Sequence, residues 1–160
     1  LDQHLDVERV LPALGRDGVL LIRKHPLVAD PVLTGEDPRV HDVSAWPDAS
    51  ELLAAADVLI TDYSSLAFDF AITNRPMLFF TYDLDTYRDE IRGFYIDFEA
   101  DAPGPLLRTT DELADALAAV GYDVPSEYTE RYRAWRERFC ELDDGQASAR
   151  LVARLFSESG

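Results

Sequence analysis

The chain has 160 residues, 47% of them hydrophobic and 29% charged, a balance that suits one globular domain with a sizeable core and excludes a disordered or fibrous chain. Its net charge of -16 argues against broad, sequence-independent nucleic-acid binding, which needs clustered Lys and Arg. The single cysteine, Cys140, excludes an internal disulfide and any multi-cysteine zinc site, and no apolar run approaches the ~20 residues that cross a bilayer.

In chain order, Val7–Leu14 carries apolar residues at helical spacing and stops at Gly15 and Gly18, with Pro12 predicting a kink or an early end. The run "VLLIRKHP" predicts a buried strand over Val19–Arg23, ended by Pro26. Residues 29–38 hold Pro31, Gly35 and Pro38 and read as a surface loop, and "RVHDVS" as a short strand. "PDASELLAAA" opens a helix, with Asp48 and Glu51 three apart as a variant capping box. A strand over Asp57–Asp62, a helix over Ser65–Thr73 and a strand in "RPMLFFTYD" follow, Pro76 being tolerable only at that strand's start. Leu84–Glu90 reads as a short helix and "GFYIDFEADAPGPLL" as irregular. Thr109 with Glu112 repeats the capping-box pattern and opens a helix to about Val120. Helices over Ser126–Phe139 and Gln146–Phe156, separated by "LDDG", complete the chain.

Strands alternating with helices at this spacing predict an α/β domain, a Rossmann-like parallel sheet with helices on both faces. The strands are continuous apolar runs, as they are when helices cover both sides. In such sheets ligands bind outside the C-terminal ends of the strands, which directs attention to Arg23-Lys24-His25 and to Thr61-Asp62-Tyr63-Ser64-Ser65.

A helix starting at Ser64 or Ser65 offers backbone N–H groups and the positive end of its dipole, and two hydroxyls beside them can donate to phosphate oxygens. Asp69, one turn on and on the side of Ser65, can accept from ribose hydroxyls. The competing reading is a capping Ser64, a solvated Ser65 and a surface Asp69, and on local chemistry alone it is the stronger of the two. No glycine-rich loop accompanies the corner, so neither a Walker A motif nor a dinucleotide fingerprint applies. His25, between a buried strand and a proline, is placed for proton transfer or for stabilising a phosphate leaving group, and equally for a plain backbone hydrogen bond. His41 and His4 have weaker claims. Arg88 and Arg92, Trp46 and Trp135, and the aromatic stretch from Tyr82 to Phe98 read as a solvated face and as packing residues. Asp62, at the end of "DVLITD", would be the phospho-acceptor of a receiver-like module, but no acidic pair follows the first strand.

Taken together, "RKHPLV", "DVSAWPDASELLAAADVLITDYSSLAFDFAITNRPMLFF", "YRDEIRGFYIDFEADAPGPLLRTTDEL" and "DDGQASAR" resemble the C-terminal domain of the CDP-glycerol glycerophosphotransferase family, the enzymes that build poly(glycerol phosphate) chains of teichoic acids. The resemblance runs from about residue 20 to the end. It implies the C-terminal, donor-binding half of a GT-B fold: residues 1–160 as a single domain, a piece of a longer enzyme whose N-terminal acceptor domain is not in it. By position, His25 matches the family's essential histidine near the donor diphosphate. Ser64 and Ser65 match the diphosphate-binding pair, and Asp69 the carboxylate near the ribose. Segment 43–48 falls where the cytosine lies, mostly against backbone, and Arg23 adds positive potential. The implied donor is CDP-glycerol, with CDP-ribitol, a nucleotide sugar or a non-catalytic nucleotide-binding role as alternatives. The implied acceptor is a polyol phosphate polymer held by the other domain. No cofactor or metal is implied, and no nucleic-acid partner. The full-length protein is expected in the cytoplasm at the inner face of the cell membrane, with membrane contact made outside this domain. The acidic charge sits poorly with a polyanionic acceptor, which again assigns acceptor binding elsewhere.

Overall fold

The computed structural model describes residues 5–25, 37–91 and 93–156. Helix α1 (Val7–Val10), capped by the Asp6 carboxylate on the Arg9 N–H, gives way to a 3-10 turn over Leu11–Leu14. Pro12 lies in that turn, where its missing N–H costs nothing, so the kink falls where the sequence puts it. Strands β1 (Leu20–Ile22) and β2 (Val40–Asp42) pair in parallel, Leu20 opposite Val40. After α2 (Ala49–Ala55) a second parallel sheet forms in the order β3 (Leu59–Thr61), β4 (Met77–Phe80), β5 (Leu106–Leu107). Between its strands lie α3 (Leu66–Ala71), α4 (Leu84–Thr86) with a π turn over Tyr87–Ile91, and α5 (Phe98–Asp101). Helices α6 (Thr110–Ala119), α7 (Thr129–Phe139, after a 3-10 turn at Ser126–Tyr128) and α8 (Ala147–Phe156) follow.

The core shows why β4 is central. All four of its residues are buried, and they alternate between two apolar layers. Met77 and Phe79 pack with Leu53 of α2, Phe70 of α3 and Tyr132 and Trp135 of α7. Leu78 and Phe80 pack with Val10 of α1, Leu107 of β5 and Leu113 and Leu117 of α6. Full burial of each phenylalanine contributes about 1.5–3 kcal/mol, so this strand and its two covers dominate the stability of the sheet. The parallel strands with helices on both sides are the α/β architecture the sequence predicts.

Several details differ from the sequence reading. The expected single sheet is two sheets among the described residues. The first strand is shorter than Val19–Arg23 and not buried: Val19 and Leu21, on one side of it, are 53% and 41% exposed. Its apolar run predicts cover on both faces, and among the described residues β2 is the one strand paired with it. The stretch from residue 93 to 107 is ordered into α5 and β5 rather than irregular. Gly104 makes this possible, because a Cβ there would collide with the Met77 carbonyl; only glycine lets the chain run so close to β4. At α2, Asp48 caps as expected, accepting from the Ser50 N–H at 2.8 Å, but the reciprocal half of the box goes elsewhere: Glu51 accepts from the Trp46 indole. At α6 both halves of the Thr109/Glu112 box form. Residues 26–36, with Pro26 and most of the expected loop over 29–38, lie outside the described residues, as do His4 and Arg92.

Candidate functional site

The corner after β3 is built from the sheet outward. Thr61 ends the strand almost fully buried, and the chain turns through Asp62, Tyr63 and Ser64 before α3 begins at Leu66. The helix therefore starts one or two residues later than the sequence suggests. Ala67, Phe70 and Ala71 are its buried residues, which anchors the corner on the core. The Ser64 hydroxyl accepts from the Leu66 N–H at 3.3 Å, and the Ala67 and Phe68 N–H groups donate to the Ser64 and Ser65 carbonyls at 3.3 and 3.0 Å. This corrects the expectation of unpaired N–H groups: the first turn is already engaged locally, and α3 is only six residues long. What the corner presents outward is side-chain chemistry. Ser65 is exposed and makes no capping bond, and Asp69, four residues on along the same side, is exposed as well.

Tyr63, named in the strand-end set but given no role of its own from sequence, fixes this corner. Its hydroxyl donates to Asp83 Oδ1 at 2.9 Å, joining the chain just past β3 to the chain just past β4. Its ring stacks on Tyr87 with centroids 4.1 Å apart and meets Phe94 and Phe98 at 5.4 and 5.9 Å. Burial, and then the hydrogen bond to Asp83, hold the phenol well above its usual range, so it stays a proton donor throughout the neutral range. The aromatic stretch is thus packing, as read, except for Tyr95, which is fully exposed. Tyr63→Phe keeps the ring and removes the tie. It is expected to cost about 1 kcal/mol in denaturant unfolding with an unchanged m-value.

A second set of strand ends lies at β1 and β2. The Val43 N–H continues the pairing onto the Ile22 carbonyl at 2.9 Å, and the Lys24 N–H donates to Ser44 Oγ at 3.1 Å. The Ser44 N–H donates to Asp42 Oδ1 at 2.8 Å, and bonds from Ser44 hold the Asp42 carboxyl below its ordinary range, with Lys24 assisting. Arg23 Nη1 donates to the Trp46 carbonyl at 2.6 Å, so this guanidinium, read from sequence as added positive potential, is also a strut beneath the loop. His25 follows, exposed. Trp46, read as a packing residue, is instead 47% exposed, its indole N–H donating to Glu51 Oε2 at 2.9 Å. Trp135 is buried as expected. His41 sits mid-strand on β2, opposite Leu21, away from the strand ends.

Each set lies past the C-terminal ends of the strands of its own sheet. Helix α2 leaves the end of β2 and returns to the start of β3 through residues 56–58. By the general rule that ligands bind outside the C-terminal ends of strands in Rossmann-like sheets, His25, Arg23 and Trp46 past β1 and β2 and Ser64, Ser65 and Asp69 past β3 are the groups expected to face a ligand. Arg88, by contrast, is tied to Asp85, Asp89 and Glu99 at 3.2, 2.8 and 2.6 Å, an exposed network that neutralises it. Trp46 was read as packing and Tyr63 was given no role because residue type reveals neither exposure nor a partner twenty residues away. Asp83 was within reach of the same strand-end rule, had it been applied after β4.

Comparison with known proteins places this geometry in a family. A teichoic acid glycerol-phosphate transferase of Staphylococcus aureus is 42% identical over 153 residues, which cover 96% of this chain and 39% of the relative. A teichoic acid poly(glycerol phosphate) polymerase of Bacillus subtilis is 42% identical over 159 residues, covering 97% of this chain and 21% of the relative. Among solved structures, the wall teichoic acid polymerase TagF, in a variant soaked with CDPG, superposes with a TM-score of 0.82 at 39% identity, covering 94% of this chain and 37% of that one. The chain thus spans well under half the length of these relatives. Residues 1–157 match the family described as CDP-Glycerol:Poly(glycerophosphate) glycerophosphotransferase, and the chain belongs to that family.

Proposed function

We propose that this chain is the donor-binding domain of a glycerophosphotransferase that moves glycerol phosphate from CDP-glycerol to a teichoic-acid-type polymer. The observation that carries the reading is the family match over residues 1–157, supported by strand ends that carry hydroxyls, a histidine and two cations. In the reaction, a terminal hydroxyl of the acceptor attacks the β-phosphorus of the donor. A P–O bond to the acceptor forms, the P–O bond to the CMP oxygen breaks, and the hydroxyl proton passes to a base outside this chain. Ser64 and Ser65 donate to the diphosphate, Asp69 accepts from the ribose, and His25 with Arg23 offsets the charge that builds on departing CMP.

The acceptor and its base belong to the rest of the enzyme, in keeping with the net charge of -16, which would repel a polyanion. Among the described residues no helix is long and apolar enough to cross a membrane. The proposed working place is the cytoplasmic face of the membrane, reached through other parts of the full-length protein. Calorimetric titration of the chain with CDP-glycerol, CDP-ribitol and UDP-glucose tests the reading. CDP-glycerol is expected to bind at least about tenfold more tightly than UDP-glucose, a gap of ~1.4 kcal/mol. Equal affinities, or no binding by the folded chain, contradict it, and tighter CDP-ribitol binding moves the assignment to another polyol.

A further inference from the structure

Ser64 and Ser65 are held loosely by the helix they introduce. Ser65 makes no side-chain capping bond, and the Ser64 hydroxyl accepts from the Leu66 N–H at 3.3 Å, beyond the usual hydrogen-bond range. Tyr63, directly before them, is held much more firmly. Its ring stacks on Tyr87 at 4.1 Å and adjoins Phe94 and Phe98, and Phe98 meets the fully buried Phe79 of β4 edge-on at 5.3 Å. Its hydroxyl donates to Asp83 Oδ1 at 2.9 Å. Asp83 is fixed in turn. Its carbonyl accepts from the Tyr87 N–H at 2.8 Å, and it lies two residues after the buried Thr81, whose N–H donates to the Leu107 carbonyl of β5 at 2.7 Å. The chain past β3 is thereby tied to the chain past β4, which is itself bonded to β5.

A phenylalanine at 63 would stack equally well. What the hydroxyl adds is direction, because a hydrogen bond is satisfied over a narrow range of distance and angle, whereas ring packing tolerates sliding. Burial and then the bond to Asp83 keep the phenol protonated, so it donates throughout the neutral range. A carboxylate past the strand next to a diphosphate site is otherwise unfavourable, since it repels the ligand. We propose that Tyr63 and Asp83 form a positioning pair that aims the Ser64 and Ser65 hydroxyls at the diphosphate without touching it, an inference that rests on the reading of this corner as the diphosphate site. Hydroxyls already aimed lose less freedom when the ligand arrives. Hydrogen bonds to a charged phosphate oxygen also draw their strength from short contacts, which a small displacement of the corner lengthens.

The test is calorimetric titration with CDP-glycerol of variants that urea unfolding shows to be fully folded at the temperature used. Tyr63→Phe, which keeps the ring, is expected to weaken binding about tenfold, and Asp83→Ala to match it. Asp83→Asn keeps an oxygen that accepts from the phenol, so its affinity is expected to stay within about threefold of the parent. The pair acts through the serines, so the effects are expected not to add: in a chain already carrying Ser64→Ala and Ser65→Ala, Tyr63→Phe is expected to change the affinity by less than about twofold. A residue that merely stabilises the fold would give neither the rescue by asparagine nor this coupling. If Tyr63→Phe binds CDP-glycerol as the parent does, or if its loss adds in full to that of the double serine variant, the positioning role is refuted and the donor-site reading survives. If the folded parent takes up no CDP-glycerol, both fall.

Discussion

Ser64→Ala with Ser65→Ala is expected to weaken CDP-glycerol binding by about 10- to 100-fold. A hydroxyl donating to a charged phosphate oxygen contributes roughly 1.5–3 kcal/mol, and the first-turn N–H groups, already engaged by the Ser64 hydroxyl and the Ser64 and Ser65 carbonyls, offer little in replacement. The two positions are not equivalent. Ser64 also accepts from the Leu66 N–H, so its removal costs some stability at the start of α3. Ser65 makes no capping bond and is exposed, so Ser65→Ala alone is the clean probe: about tenfold weaker binding with an unchanged unfolding midpoint. A double variant that folds normally and binds the donor as the parent does removes the diphosphate from this corner.

His25→Ala, made in the enzyme that also holds the acceptor-binding machinery, is expected to lower kcat by about 10²- to 10⁴-fold while shifting the donor Kd by no more than about threefold. Proton transfer and charge stabilisation act on the transition state rather than on the ground state, so the loss appears in turnover. His25 is exposed at the end of β1, so its removal leaves no core cavity and the comparison reads chemistry rather than folding. Turnover within tenfold of the parent assigns the role to another residue.

How far these assignments were legible in the sequence depends on what each one needed. Thr109 and Glu112 specify a local contact three residues apart, and both halves of the box form. Pro12 and the apolar run of β4 were equally legible, because a kink and a strand buried on both faces each leave a local pattern. β5 was not legible. It is two residues long, follows Pro103-Gly104-Pro105, and exists because β4 supplies its hydrogen bonds, from the Phe79 N–H to the Pro105 carbonyl and the Thr81 N–H to the Leu107 carbonyl. No local pattern encodes a strand that short.

The first strand shows the converse. Its apolar run predicts burial, but burial depends on what covers a face, and Val19 and Leu21 stay exposed. For the proposed site, the strand-end rule pointed to both corners, and the family resemblance selected residues within them. What lay beyond either signal was the set of contacts between distant segments: Tyr63 to Asp83 and Arg23 to the Trp46 carbonyl, each joining residues about twenty positions apart. Each contact ties the chain past one strand to the chain past its neighbour in the same sheet.

The most direct test of these strand ends is an amide NMR titration of the chain with CDP-glycerol. The largest shift changes are expected at residues 23–25 and 43–46 and at Ser64, Ser65 and Leu66, with the opposite ends of the strands, at Gly18 and Asp57, unmoved. Shifts confined to α7 or α8, or spread over the opposite edge, would contradict the assignment of the donor to the C-terminal ends of β1, β2 and β3.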